Sequence, residues 1–158
     1  MGMGLSASEV VKVAIRVEKA GRAYYTEMAS SAGEEKVRGL CRFLAEQEGQ
    51  HVLTFETIQQ DLKDRPAREQ YEGEFGEYVK ALIDARIFSD ESSAIKKVKD
   101  AADSIEAVDN AIAFEKDTIL LMNEMRGVMP PDDVGTIEKL IGEEKKHIRL
   151  LAEVKSDL

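Results

Sequence analysis

Two copies of the motif Glu-x-x-His, each placed in an apolar helical stripe, constrain the fold of this chain more than any other sequence feature. They contain the only two histidines of the chain, in Glu48–His51 and Glu144–His147. Their stripes are Leu40, Leu44, Glu48, His51, Phe55, Ile58 and Leu62, and Ile137, Leu140, Glu144, His147, Leu151, Val154 and Leu158. Spacings of three and four residues predict helix faces that pack against partner helices. Burying a carboxylate costs free energy unless it is paired, so these faces should meet around a polar cluster.

Composition and charge favour one helical domain and exclude several partners. The 158 residues include no Trp and three Pro, and 34% of them are charged, which is typical of an all-helical domain, here expected over residues 1–158. The net charge of -9 argues against a nucleic acid or an anionic membrane surface as a partner. No membrane span or signal peptide is visible, and the single cysteine, Cys41, excludes an internal disulfide. We therefore expect a cytoplasmic protein.

Local signals predict four core helices and one long connection. A capping box at Ser6–Glu9 begins the first helix, and Pro66 should stop the second. The third should end near Gly127, and Pro130-Pro131 should begin the fourth. Within the less regular residues 65–100, a short helix is suggested by Phe75, Val79, Leu82 and Arg86, and another helix start by Ser89-Asp90-Glu91. We predict an all-α antiparallel four-helix bundle with a long crossover between the second and third core helices.

The two halves of the chain resemble each other. Ala14–Lys19 aligns without gaps with Ala111–Lys116, and the helices that carry the two Glu-x-x-His motifs align as well. The repeat makes Glu18 and Glu115 equivalent positions, each on or beside an apolar stripe. The candidate metal ligands are therefore Glu18, Glu48, His51, Glu115, Glu144 and His147. One Glu from each of two helices and Glu-x-x-His from each of two others match the ligand pattern of di-iron carboxylate bundles.

The types and spacing of these residues favour two divalent cations. Residues three apart on a helix lie on one face, so the Glu and His of one motif can reach the same ion. Two cations would neutralise four carboxylates that could not otherwise share an apolar core. Mixed carboxylate and imidazole ligands suit iron, with manganese as a competitor, whereas zinc accepts fewer carboxylates and calcium does not require histidine. No catalytic residue beyond the ligands is predicted.

Three further side chains lie close to the ligands in the helical pattern. Tyr24 and Tyr25 could take part in redox chemistry, although such tyrosines more often fill a core and donate a hydrogen bond to a carboxylate. Cys41 lies two turns before Glu48 on the same face and fits the role of a small buried side chain. We expect packing roles for all three.

Over about residues 6–158 the chain resembles the ferritin-like superfamily, and its Ala-Ile-x-x-Glu-Lys repeats are most similar to the rubrerythrin-type di-iron domain. The resemblance implies a ferritin-like bundle in which Glu48 and Glu144 bridge two iron ions. The other ligands would divide between the irons, Glu18 with His51 and Glu115 with His147. The resemblance also implies a homodimer, in which helices could be exchanged between the subunits across the long crossover.

Two departures from the rubrerythrin pattern bear on function. Full-length rubrerythrins carry a rubredoxin-like domain with four cysteines, whereas this chain has one cysteine. Electrons would therefore come from a separate electron-transfer protein such as a rubredoxin. Rubrerythrins also have a further Glu one turn from the third-helix ligand, where this chain offers Ile112, Thr118 or Ile119. The remaining ligand set is closer to the symmetric centre of bacterioferritins, which weakens the argument for peroxide as the specific oxidant.

These expectations define a leading function and three alternatives. The leading one is a di-iron oxidoreductase that reduces hydrogen peroxide or dioxygen and is re-reduced by an external donor. The second is a ferroxidase or iron-storage protein of the bacterioferritin type, which would use the same ligands. A metal-free helical interaction module is a third, although it would leave four buried carboxylates without cations. Oxygenation of an organic substrate also stays open, because the sequence does not reveal the shape of a pocket above the metals.

Overall fold

Six helices form the chain in the computed structural model, which describes residues 5–63, 70–71 and 73–158. They are α1 (Ala7–Ser31), α2 (Glu35–Leu62), α3 (Gly73–Asp84), α4 (Glu91–Asp100), α5 (Ser104–Met125) and α6 (Pro131–Ser156). Helix α1 packs on α2 and α5 on α6, and the two pairs meet through contacts of α1 with α5 and of α2 with α6. The predicted all-α four-helix bundle, with its long crossover between α2 and α5, is confirmed.

The helix ends follow the local sequence signals. The Ser6 hydroxyl accepts a hydrogen bond from the Glu9 backbone N–H, and the Glu9 carboxylate accepts one from the Ser6 N–H at 2.8 Å, which confirms the capping box. Pro131 occupies the first turn of α6, where its missing N–H leaves no helical hydrogen bond unmade. Helix α2 ends at Leu62, and the stop predicted at Pro66 lies outside the described residues.

The described residues of the crossover include two short helices and one strand of a small pairing. Helix α4 begins as predicted, because the Asp90 carboxylate accepts a hydrogen bond from the Ser93 backbone N–H. Helix α3 ends at Asp84, so the prediction that Arg86 belongs to this helix is wrong. The two-residue strands β1 (Leu5–Ser6) and β2 (Gln70–Tyr71), which the sequence did not indicate, pair antiparallel.

The loop between α3 and α4 is tied to α5 at two points. The Arg86 Nη2 donates a hydrogen bond to Thr118 Oγ1 at 3.0 Å, and the Ile87 backbone N–H donates to Asp117 Oδ2 at 3.0 Å. Arg86 thus lies outside α3, and its side chain contacts α5. The crossover is therefore held against the core helices at the level of Glu115.

The predicted apolar stripes form the core. Between Leu44 and Ile58 and between Ile137 and Val154 every stripe residue is buried, whereas Leu158 lies beyond the end of α6 and is 39% exposed. Phe55 and Phe114 are among the largest fully buried side chains. Among the helices that the structure describes, none combines the length and apolar character needed to cross a lipid bilayer.

Candidate metal centre

The four long helices direct all six predicted ligand side chains into one region of the core. Helix α1 supplies Glu18 and α5 supplies Glu115, while α2 and α6 each supply a Glu-x-x-His pair. The four carboxylates are fully buried, and neither histidine is more than 2% exposed. The local spacing predicted each residue's face, and the packing of the bundle brings the faces together.

The ligand atoms form two overlapping groups, in each of which they lie within 4.8 Å of one another. One group is Glu18, Glu48, His51 and Glu144, and the other is Glu48, Glu115, Glu144 and His147. Glu48 and Glu144 belong to both groups, which is the sharing that the family resemblance implies for bridging carboxylates. Atoms bound to one transition-metal ion at about 2.0–2.2 Å lie no more than about 4.4 Å apart. Each group therefore needs only slight closing to surround an ion.

The chemistry of these atoms fits bound cations. Both carboxylate oxygens of Glu18, Glu48 and Glu144 are buried and make no hydrogen bond. The Nδ1 atom of His51 lies 3.0 Å from Glu144 Oε1, and that of His147 lies 2.9 Å from Glu144 Oε2, yet neither contact has the geometry of a hydrogen bond. Buried polar atoms that converge without pairing need another partner. A pair of cations between them would provide it.

Without metal, the cluster retains protons. Burial, together with the charge of Glu144, raises the pKa of Glu48 and of Glu115 well above the normal value. Burial alone would lower the pKa of both histidines, but the neighbouring carboxylates outweigh it and raise that of His51 to about 11 and that of His147 to about 9. Burial opposes ionisation of Glu144, yet contacts with the two imidazoles outweigh it and lower its pKa. Cations would displace these protons.

Glu143 is a further site residue, which the sequence analysis missed. Its Oε2 atom lies 2.7 Å from Nε2 of His51, while Nδ1 of the same ring faces the ligand cluster. A carboxylate in this position fixes the tautomer and the orientation of a metal-binding imidazole. The sequence offered one signal for this residue. Glu143 directly precedes the second Glu-x-x-His motif, whereas Gln47 precedes the first.

The tyrosines and the cysteine occupy packed positions. The Tyr25 hydroxyl donates a hydrogen bond to Glu115 Oε1 at 2.5 Å, which is the carboxylate contact expected of a core tyrosine. The Tyr24 hydroxyl donates to the backbone carbonyl of Ala107 instead. Cys41 is 1% exposed, and burial raises the pKa of its thiol to about 12, so it remains protonated at neutral pH.

Gly21 makes room for the cluster on α1. It follows Glu18 by three residues and is buried on the face of α1 that meets Phe114 of α5 and Glu48 of α2. A Cβ atom at this position would lie 2.6 Å from Phe114 Cζ and 3.2 Å from Glu48 Oε2. Only a residue without a side chain allows both groups to approach the helix so closely.

The fold and the site define the class of this protein. An antiparallel four-helix bundle that gathers four glutamates and two histidines in its core is a ferritin-like bundle with a carboxylate–histidine cluster of the binuclear metal type. The chain matches the rubrerythrin family over residues 9–155. It therefore belongs to the rubrerythrin family.

Comparison with individual proteins agrees with this assignment. The chain is similar to a solved structure from Thermotoga maritima that is described as a ferritin-like diiron-carboxylate protein. The two sequences are 27% identical, the match covers 99% of this chain and 98% of that chain, and the TM-score is 0.71. A comparison with curated proteins found no match.

Proposed function

We propose that this protein is a di-iron oxidoreductase that reduces hydrogen peroxide or dioxygen and is then re-reduced by an external electron donor. The observation that carries the proposal is the pair of buried ligand groups that share Glu48 and Glu144. When bound, two ferrous ions would supply the two electrons that one molecule of peroxide takes up. Sharing of carboxylates would hold the ions close enough to act on one oxidant.

Iron is the metal that the ligand set supports best. Carboxylate and imidazole ligands with open coordination positions suit non-haem iron, and manganese is the competitor. The diiron-carboxylate description of the Thermotoga maritima protein supports the same choice. Glu48 and Glu144, which belong to both ligand groups, would help to hold both ions. The remaining ligands would bind one ion each, Glu18 and His51 the first, Glu115 and His147 the second.

The chain's own residues would hold and orient these ligands. Tyr25 donates to Glu115 and leaves the other oxygen of that carboxylate free for an ion. The Glu143 carboxylate contacts Nε2 of His51, while Nδ1 faces the ligand cluster, and would thereby fix the orientation of the ring. Because the ligands are buried, bulk water is kept from the centre, and charges inside it interact more strongly than they would at the surface.

We also propose the partners that such a centre requires. Re-reduction would come from a separate electron-transfer protein such as a rubredoxin, which would return the electrons that the oxidant takes up. The active assembly would be a homodimer, with or without exchanged helices. Gel filtration checks the assembly: a dimer agrees with this proposal, whereas a particle of many subunits would favour the iron-storage alternative.

The first test measures iron and its oxidation in one sample. The metal-free chain is reconstituted with ferrous iron without oxygen, its iron content is determined, and oxidation by peroxide and by dioxygen is followed by stopped-flow absorbance. Two irons per chain that are oxidised faster by peroxide support the proposal. Faster oxidation by dioxygen would make dioxygen the oxidant, a result that the ferroxidase and oxygenase alternatives share, and a failure to bind iron overturns the proposal.

Substitutions of individual ligands distinguish the residues that both ligand groups share from those that belong to one group. Glu48→Gln and Glu144→Gln keep the shape of the side chain but remove a charge that both ligand groups use, so each should reduce binding at both sites. Glu18→Gln should mainly weaken one site, because this residue belongs to one group. Glu56→Gln, on the exposed face of α2, serves as the control. Retention of two irons by both shared-ligand variants, with folding verified by circular dichroism, would contradict the assignment.

A further inference from the structure

The half-buried Arg86, in the loop between α3 and α4, places a positive charge against α5 near the ligand cluster. Its Nη2 atom donates a hydrogen bond to Thr118 Oγ1 at 3.0 Å, and its guanidinium carbon lies 5.4 Å from the centre of the Phe114 ring. Its Nε atom is buried and makes no hydrogen bond. A guanidinium keeps its charge at any physiological pH. This residue is not among the candidate ligands.

Arg86 contacts two side chains that lie next to ligands. Thr118 follows Glu115 by three residues on α5, so their side chains lie on one face, about 5–6 Å apart. On its other side, the Phe114 ring reaches the space at Gly21, where the position of a missing Cβ is 2.6 Å from Phe114 Cζ and 3.2 Å from an oxygen of Glu48. The two residues that the guanidinium contacts on α5, Phe114 and Thr118, thus flank the ligand Glu115 in the sequence.

The electrostatic coupling between Arg86 and the cluster is already present in the protein without metal. Burial lowers the pKa of Arg86, and this effect is opposed by Asp117 and by Glu18, Glu115 and Glu144, three of the candidate ligands. Such interactions are reciprocal, so the guanidinium acts on whatever charge these ligands hold. Solvent screens a buried pair much less than an exposed one.

We propose that Arg86, through its positive charge, raises the reduction potential of the metal pair. This inference rests on the proposed di-iron function. Each oxidation step sends one electron from the pair to the oxidant and leaves one more positive charge in the core. A fixed cation nearby disfavours that step and favours the reduced state. Loss of the cation should therefore make the centre easier to oxidise and harder to reduce.

The test is a redox titration of the iron-reconstituted full chain, monitored by electron paramagnetic resonance and visible absorbance. At a fixed potential, Arg86→Gln should shift the ratio of reduced to oxidised centre roughly tenfold toward the oxidised form. A tenfold shift corresponds to a fall of about 59 mV for a one-electron step. Arg86→Lys keeps the charge but not the planar donor group, so it should retain most of the wild-type potential.

The matched control is Arg16→Gln, which removes the same charge from the exposed face of α1, where solvent screens it. Its effect on the potential should be much smaller. A purely structural role of Arg86 predicts equal changes in the Gln and Lys variants, and that result would overturn the proposal. An unchanged potential in an Arg86→Gln protein that binds two irons would overturn it as well, while leaving the proposed function intact.

A second variant keeps the proposal testable if Arg86→Gln does not fold. The Asp117 carboxylate interacts with the Arg86 charge and accepts a hydrogen bond from the Ile87 backbone, which an asparagine can also accept. Its negative charge should act on the metal pair in the sense opposite to that of Arg86. Asp117→Asn should therefore preserve the loop contact and raise the reduction potential. A potential that stays the same or falls would contradict the electrostatic role. Absence of bound iron in the wild-type chain would instead show that the proposed function itself is wrong.

Discussion

Replacement of Gly21 by alanine is a direct test of how tightly the site is packed. The added methyl group would lie 2.6 Å from Phe114 Cζ, a distance that requires one of the two groups to move. The Phe114 ring has little freedom, because Phe88 stacks on it at 4.7 Å between ring centres and Arg86 lies over it at 5.4 Å. The same methyl group would approach Glu48 Oε2 to 3.2 Å. We therefore expect the variant to disturb both the core and the ligand cluster.

Two opposing effects determine the stability of Gly21→Ala. Within a helix, alanine is favoured over glycine by about 0.8–1.0 kcal/mol. Forcing an additional methyl group into a packed core costs about 1–3 kcal/mol. Because the neighbouring ring is held by two contacts, the second effect should exceed the first, for a net loss of about 1 kcal/mol. For a chain of this length such a loss lowers Tm by about 2–4 °C.

Gly142→Ala provides the matched control. Gly142 also lies inside a long helix, α6, but beyond its chain neighbours and the local helix backbone no atom would lie within 4 Å of its added Cβ. This variant gains the helix preference without a clash, so its Tm should rise by about 2–4 °C. Thermal unfolding of the metal-free proteins, followed by circular dichroism, measures both changes. If Gly21→Ala were as stable as Gly142→Ala and bound metal with wild-type affinity, the proposed close packing at Gly21 would be refuted.

Two further predictions concern protons and the second carboxylate at His51. Metal binding at pH 7 should release at least two protons per pair of ions, because His51 and His147, with pKa values raised to about 11 and 9, are protonated beforehand and bind metal only as neutral imidazoles. Affinity should therefore increase with pH, which a pH-indicator titration in weak buffer measures; release of no protons would contradict the raised pKa values. Glu143→Gln should weaken metal binding about 10–100-fold, whereas Glu153→Gln, on the exposed face of the same helix, should leave the affinity determined by metal titration unchanged.

Much of the fold could be predicted because its signals are local. A capping box at Ser6, a proline pair before α6 and apolar spacings of three and four residues act within one or two helical turns. The crossover was harder to predict. Arg86 fits the helical spacing of α3, but its contact with Thr118 on α5 competes with that pattern and keeps it in a loop. A contact between residues 32 positions apart leaves no trace in a local pattern.

The candidate ligands could be named from the sequence because the chain repeats itself. Spacing within each helix assigned Glu48 and His51 to one face, and the repeat singled out Glu18 and Glu115. Neither signal shows which further side chains contact a ligand. Glu143 reaches His51 across the bundle, 92 positions away along the chain.

The sequence by itself determined the helices, the faces they bury and the side chains able to bind metal, because each depends on neighbours within a few residues. Only the tertiary structure decided that these side chains meet in two groups that share Glu48 and Glu144. It also decided which of them are hydrogen-bonded by Tyr25 or Glu143, and that Arg86 lies near the cluster. These relations depend on how distant helices are rotated and placed against one another, and that follows from the packing of the whole core.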